Sequence, residues 1–326
     1  MPSRMFFFMG KGGVGKTTVA SAFAVGSARS GKRTLVVSID PAHNLGDALD
    51  VELSGEPIMV ERGLWAMEVD LERAISSYLE DCSARMKNTY RHLMVLNLDR
   101  YFDLIKKSPG IEEYALLEVI KELSKVEDYD YIVVDTPPTG ITIRVFSMPE
   151  ISLIWANGLL EMRRRILSKR RMLENVRGPF YSEIEGKREK LPSAEEEDPI
   201  TKEIMAYKED MLRIRQFLSS KLAWVGVVTT AEELAYAETK RIYEALRDQN
   251  IALRAIFLNK YLQLESPPPE LQGKIQEQER VFAHLREAFP RVEIFKVPLI
   301  RTSPRGTEML YEIYSQNLHR LEALVA

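Results

Sequence analysis

The residues with the plainest chemical potential lie near the start of the chain, in Gly10-Lys11-Gly12-Gly13-Val14-Gly15-Lys16-Thr17-Thr18. Glycines let successive backbone N–H groups turn toward one anion, and the positive end of a following helix adds to that field. The spacing G-x-x-x-x-G-K-[ST] suits nucleotide phosphates, with Lys16 reaching the β- and γ-phosphates and the Thr17 hydroxyl holding Mg²⁺. An apolar run at 4–9 precedes the loop and a helical pattern at 19–28 follows it, so the local setting is strand, loop, helix. Two carboxylates stand at the ends of further strand-like runs. Asp40, after 34–39, can order an attacking water, bind Mg²⁺ indirectly or cap the following turn. Asp135, after 131–134, occupies the usual place of a carboxylate that binds Mg²⁺ through water, and Gly140 lets the chain beyond it swing when a γ-phosphate leaves. Asn259, after 253–258, offers an amide that can pair with adenine or simply form a turn.

Seven apolar runs have strand character: 4–9, 34–39, 64–69, 131–134, 223–229, 253–258 and 293–297. Helical patterns separate most of them, which implies parallel pairing in a covered sheet. The expected fold is therefore α/β, a doubly wound and mostly parallel sheet with an inserted α-helical subdomain. The core is expected over residues 1–70, 128–150 and 219–326, with helical insertions at 71–127 and 151–218. In the second insertion, Ile204, Tyr207, Met211, Ile214 and Leu218 recur at helical spacing, as Ile151, Ile154, Leu159, Met162 and Ile166 nearly do. Neither insertion shows a convincing strand, and 178–199, with its prolines and acidic run, reads as a mobile loop. The basic run from Arg163 to Arg171 is either a solvated face or a contact for anionic lipid or a client's charged flank.

Lys and Arg number 45 against 48 Asp and Glu, so bulk charge gives no nucleic-acid footprint, and none is expected as a partner. The single cysteine, Cys82, excludes an internal disulfide and any multi-cysteine metal site within one chain. No window approaches a membrane span and no leader is evident, so a soluble cytoplasmic protein is expected.

The loop K-G-G-x-G-K-T-T, with Lys11 as well as Lys16, resembles the deviant Walker A loop of the signature-lysine NTPases. The run Asp40-Pro41-Ala42-His43-Asn44-Leu45-Gly46-Asp47-Ala48 resembles switch I of the arsenical pump-driving and tail-anchored protein targeting ATPases. Asp135-Thr136-Pro137-Pro138-Thr139-Gly140-Ile141-Thr142-Ile143-Arg144 is similar to switch II of the same family. Pro137 replaces a small residue there, and Ile141 stands where the family usually has His. The resemblance implies a homodimer with ATP sandwiched at its interface, Lys11 reaching the partner's nucleotide, and Asp40 positioning the hydrolytic water. It places Pro41, His43 and Asn44 on one switch loop and Thr136, Pro137 and Gly140 on the other. It assigns adenine recognition to Asn259 and closure over the base to the segment with Pro298 and Arg305. It implies ATP and Mg²⁺ as cofactors. Many members carry a zinc-binding C-x-x-C just after the Asn, but Tyr261-Leu262-Gln263-Leu264-Glu265 has no cysteine, so no zinc is expected. In the targeting branch the helical insertions form an apolar groove that shields a client's transmembrane helix and releases it at a membrane receptor. Two alternatives are an arsenite-pump ATPase subunit, against which the lone Cys82 counts, and a partitioning or division-site scaffold, for which the amphipathic run 310–326 is the relevant feature.

Overall fold

The computed structural model describes residues 2–42, 44–89, 108, 110–184, 187–264 and 266–325. The chain divides into two compact units. The first comprises Met1–Leu71, Val119–Phe146 and Phe217–Ala326, and the second Glu72–Glu118 and Ser147–Gln216.

The first unit is an α/β layer. Its strands are β1 (Arg4–Met9), β2 (Thr34–Ser38), β3 (Ile58–Glu61), β4 (Leu64–Glu68) and β5 (Tyr131–Asp135), then β8 (Ala223–Thr230), β9 (Leu253–Tyr261) and β10 (Glu293–Pro298). They form one eight-stranded sheet in the order β10-β9-β8-β1-β5-β2-β4-β3. Only β3 runs antiparallel to its neighbour. All seven runs expected as strands are strands of this sheet. β3, only four residues long and nowhere fully buried, is too short to show a period in the sequence.

β1 is central because its two faces are apolar throughout: every residue from Met5 to Met9 is fully buried. Alternation along the strand sends Phe6 and Phe8 to one face, against Phe23 and Trp224, and Phe7 to the other, against Phe146. The first helix, α1 (Lys16–Arg29), is buried nearly all round, which is why its sequence is apolar without a clear stripe. Gly26 of α1 has a packing reason, since a Cβ there would collide with the Tyr314 ring. The remaining core helices are α2 (Leu45–Leu49), α7 (Glu233–Asp248), α8 (Pro269–Ala288), α9 (Gly306–Ile313) and α10 (Arg320–Val325), with a π-helical turn at Tyr314–Leu318 before the last. Leu310, Ile313, Tyr314, Leu318 and Leu321 are buried in the same cluster as α1, so the amphipathic C-terminal run has its apolar face covered as far as Leu321.

In the second unit lie most of α3 (Leu71–Thr89), α4 (Ile111–Leu123), α5 (Thr139–Arg177) and α6 (Pro199–Leu218), each of which also has residues in the first unit. Residues 90–107 and 109 of the first expected insertion lie outside the described residues. The expected strand-free second insertion is corrected by β6 (Tyr181–Ile184) and β7 (Lys187–Lys190), which pair as an antiparallel hairpin. Their residues are mostly charged, so they lack the apolar alternation that marks a buried strand. The loop expected over 178–199 is tied down further on by Arg163, which makes a two-pronged ion pair with the fully buried Asp198. Asp198 also caps α6 by accepting from the Thr201 backbone N–H and hydroxyl, both on its Oδ2. Arg164 pairs through its Nε with Glu195 at an exposed site, so the basic and acidic runs of the sequence partly neutralise each other.

Candidate active site

Phe8 of β1 and Ser38 of β2 both lie opposite Asp135 of β5, so three adjacent strands end level with one another. The loop after β1, the loop after β2 and Asp135 itself therefore meet at one edge of the sheet. β5 separates β1 from β2, and β8 lies on the other side of β1. Such a switch in strand order is where open α/β sheets leave a crevice for ligands.

The glycine loop leaves β1 at Gly10, where a Cβ would strike the Val228 carbonyl oxygen. Gly12 and Gly13 have nothing within 4 Å of a built Cβ, so the outer loop is open. Gly15, at φ 92°, hands the loop to α1 in the left-handed region, and a Cβ there would run into the Asn259 amide. Val14 and Lys16 are buried, Thr17 and Thr18 half-buried, and Lys11 exposed at the loop's rim. Lys16 Nζ stands 3.5 Å from Asp40 Oδ2, a largely buried pair. Asp40 Oδ1 accepts from the Ala42 N–H at 3.1 Å, so the carboxylate also holds its own turn. Thr17 donates its hydroxyl to Asp135 Oδ2 at 2.6 Å.

Asp135 is wholly buried, and that burial pushes its carboxyl up to about 7 against the pull of the Thr17 hydroxyl and Lys16. Its Oδ1 and the buried Thr139 hydroxyl have no hydrogen-bond partner among the described residues. Buried polar atoms are rarely left so, and two oxygens beside a phosphate-type loop suit the water shell of a hard divalent cation. The residues present thus fit Mg²⁺ with a triphosphate.

Of the residues expected on switch loops, Pro41 is exposed in the turn after β2, and Asn44 precedes α2 without capping it through its side chain. His43 lies outside the described residues. Thr136 is anchored to β1 through its hydroxyl and the Phe8 carbonyl at 2.9 Å, and the Pro137 carbonyl accepts from Thr142. Gly140 sits in the first turn of α5, within a continuous helix of 39 residues. Asn259 points its amide nitrogen at the Val14 carbonyl, 2.7 Å away, so in this structure it braces the loop. Pro298 ends β10, where Leu299 bonds back to Tyr261 of β9. Arg305 precedes α9 and lies 3.3 Å from Asp47, joining the loop after β10 to α2.

Three further features escaped the reading of the sequence. Lys260 donates to the Gly13 carbonyl at 2.8 Å. A cleft of about 260 Å³ beside the loop is lined by Lys11, Gly12, Thr229, Glu232, Glu238 and Lys260, among others. Glu68 at the end of β4 accepts from the N–H groups of Leu45 and Gly46 at 2.9 and 3.0 Å, capping α2 from outside. Its signal was the one that singled out Asp40 and Asp135, a carboxylate closing an apolar strand. Glu68→Ala is expected to cost about 1–2 kcal/mol in a denaturant titration and to speed amide exchange at Leu45 and Gly46.

Residues 3–319 match the family model described as anion-transporting ATPase. The chain belongs to that family. Curated relatives cover most of the chain. A putative arsenical pump-driving ATPase 2 of Aquifex aeolicus is 32% identical over 95% of this chain and 97% of its own. The ATPase get3 of Aspergillus terreus is 30% identical over 97% of this chain and 91% of its own. The protein of the same name from Aspergillus niger is 30% identical over 94% and 88%. The protein is thus an ATPase of the anion-transporting ATPase family, and its glycine loop lies at the switch point of a mostly parallel sheet.

Proposed function

We propose that this ATPase is a targeting factor: its ATP-bound, closed homodimer holds the hydrophobic tail-anchor helix of a membrane protein, and hydrolysis releases that helix at a membrane receptor. One observation carries the reading. Helix α5 is apolar on two faces. Leu153, Ala156, Leu160 and Leu167 are buried, while Ile151, Ile154, Trp155, Leu159, Met162, Ile166, Met172, Leu173 and Val176 stay exposed. Trp155 is 68% and Val176 81% accessible. A helix apolar all round is normally covered all round, so the second stripe calls for a partner. From Ile151 to Val176 it runs about 38 Å at 1.5 Å per residue, ample for the ~30 Å apolar length of a membrane-spanning helix. Exposed methionines suit a surface that must accept varied sequences. Among the described residues, no helix of the chain itself is long and apolar enough to cross a membrane.

At the site, Lys16 binds the β- and γ-phosphates and gives up its pairing with Asp40 to do so. Asp40, released, orients the attacking water and takes up its proton. Lys11, exposed at the rim, neutralises charge at the partner protomer's nucleotide. Thr17 and Asp135 would hold Mg²⁺, which when bound would supply charge neutralisation at the phosphates. Thr136, tied to β1, carries the occupancy of that site into α5 and so toward the apolar stripe. In a dimer, Asn259, Pro298 and Arg305 border the base.

A pump-driving role is the second reading, favoured by the name of the Aquifex relative. Burial raises the Cys82 thiol above its ordinary range, which disfavours the thiolate a trivalent metalloid needs. A scaffold that inserts its C-terminal run into membrane is disfavoured by that run's burial against α1.

The test is co-expression with a tail-anchored substrate. The wild type is expected to recover a soluble, nucleotide-dependent complex, and Ile154→Asp with Met162→Asp to lose it while keeping ATPase activity. No soluble complex, together with ATPase activity stimulated by arsenite, would favour the pump reading instead.

A further inference from the structure

We propose that Lys260 is a positioning residue of the ATPase site, which clamps the phosphate loop through the Gly13 carbonyl and thereby aims its N–H groups at the triphosphate. The observation behind this is a β-bulge. Along β9 and β10, Leu258 lies opposite Lys296 and Tyr261 opposite Pro298, so Asn259 and Lys260 together face the single residue Val297. Lys260 takes a left-handed φ of 56°, uncommon for a residue other than glycine. In a regular strand, consecutive side chains point to opposite faces. The bulge cancels that alternation, and both side chains reach the same loop. Asn259 Nδ2 donates to Val14 O at 2.7 Å and Lys260 Nζ to Gly13 O at 2.8 Å, two consecutive carbonyls of the glycine loop.

The consequence follows from peptide planarity. In a trans peptide, the C=O of one residue and the N–H of the next lie in one plane and point opposite ways. Holding the Gly13 and Val14 carbonyls toward β9 therefore turns the N–H groups of Val14 and Gly15 away from it, the Val14 N–H making a long 3.5 Å bond to the Lys11 carbonyl that a phosphate would replace. Those are the groups a glycine loop offers to phosphate. Gly13, at φ 81° and with open space around it, has no side chain of its own to fix its peptide. Lys260 supplies that restraint, and its ammonium also lines the cleft shared with Lys11. A left-handed lysine where glycine would sit without cost indicates that the side chain is what the position uses.

The inference needs only that the loop binds a triphosphate and is independent of any client. It is tested by steady-state kinetics with ATP on the full chain. Lys260→Met is expected to raise KM about tenfold, the loss of one charge-assisted bond at an exposed site, with kcat within about twofold. Lys260→Arg keeps a donor and is expected to return KM to within about threefold of the wild type. Lys260→Gly removes the backbone cost and the ammonium together. It is expected to raise the melting temperature and still show the high KM. A Gly variant with wild-type KM would mean that the bulge alone positions the loop and would overturn the proposal. So would a Met variant with unchanged KM, or an Arg variant that restores nothing. Faster amide exchange at Val14 and Gly15 in the Met variant, with its melting temperature unchanged, separates loop positioning from general destabilisation.

Discussion

Asp40→Asn is expected to bind ATP as tightly as the wild type or more so, and to turn over about 10²–10⁴-fold more slowly. The asparagine has the same shape, and its oxygen can still accept from the Ala42 N–H that Asp40 now holds at 3.1 Å, so the switch loop keeps its turn. What is lost is the negative charge 3.5 Å from Lys16. Without it Lys16 is free for the phosphates, which favours binding. With it goes the group able to orient the attacking water and accept its proton, which slows the chemical step. Equilibrium titration with a nucleotide analogue and phosphate release under saturating ATP measure the two separately. A variant that hydrolyses at the wild-type rate would remove Asp40 from the reaction and leave it as a turn former.

Asp135→Asn is expected to act in opposite directions on activity and on stability. Turnover should fall at least a hundredfold, because an amide is a poor anchor for the water shell of Mg²⁺. The nucleotide-free protein, in chelator, should become more stable. The sign follows from the buried carboxyl, raised to about 7 in the folded chain and near 3.9 when unfolded. Between those values the native state binds more protons than the unfolded one. The contribution of Asp135 to stability is therefore fully present below about pH 4 and lost as pH rises through about 7. Above pH 7 the buried carboxylate costs up to about 4 kcal/mol, an upper bound from the shift. Asparagine carries no charge and keeps an acceptor for the Thr17 hydroxyl. Its melting temperature should exceed the wild type's by several degrees at pH 8 and by little at pH 5. Thermal scans at the two pH values decide it, and equal melting temperatures throughout would show that Asp135 is not strained by burial.

Much of this site is local in sequence. The loop, its flanking strand and helix, and Asp40 and Asp135 at strand ends are each written within a dozen consecutive residues. Glycine pattern, apolar runs and a terminal carboxylate dictate local conformation wherever they occur. Most of the strand runs were legible for the same reason, since β1, β2, β5, β8 and most of β9 are buried on both faces and therefore continuously apolar. The hairpin Tyr181–Ile184 with Lys187–Lys190 was not, because polar strands held by backbone bonds leave no hydrophobic period.

Other features exist only once distant segments meet. Thr17 and Asp135 are 118 positions apart, and Asn259 and Val14 are 245 apart. Sequence motifs name such residues without saying that Asn259 braces the loop and Lys260 joins it, because a bulge is a mismatch of register between two strands and neither strand alone encodes it. Helical spacing in 151–166 likewise marks an apolar helix but not which of its faces is covered. Tertiary packing buried Leu153, Leu160 and Leu167 and left Trp155, Met162 and Met172 in water. Local chemistry thus determined that this chain grips a triphosphate. Packing over long separations, which trades chain entropy for burial, decided how the grip is braced and which apolar face remains for a partner.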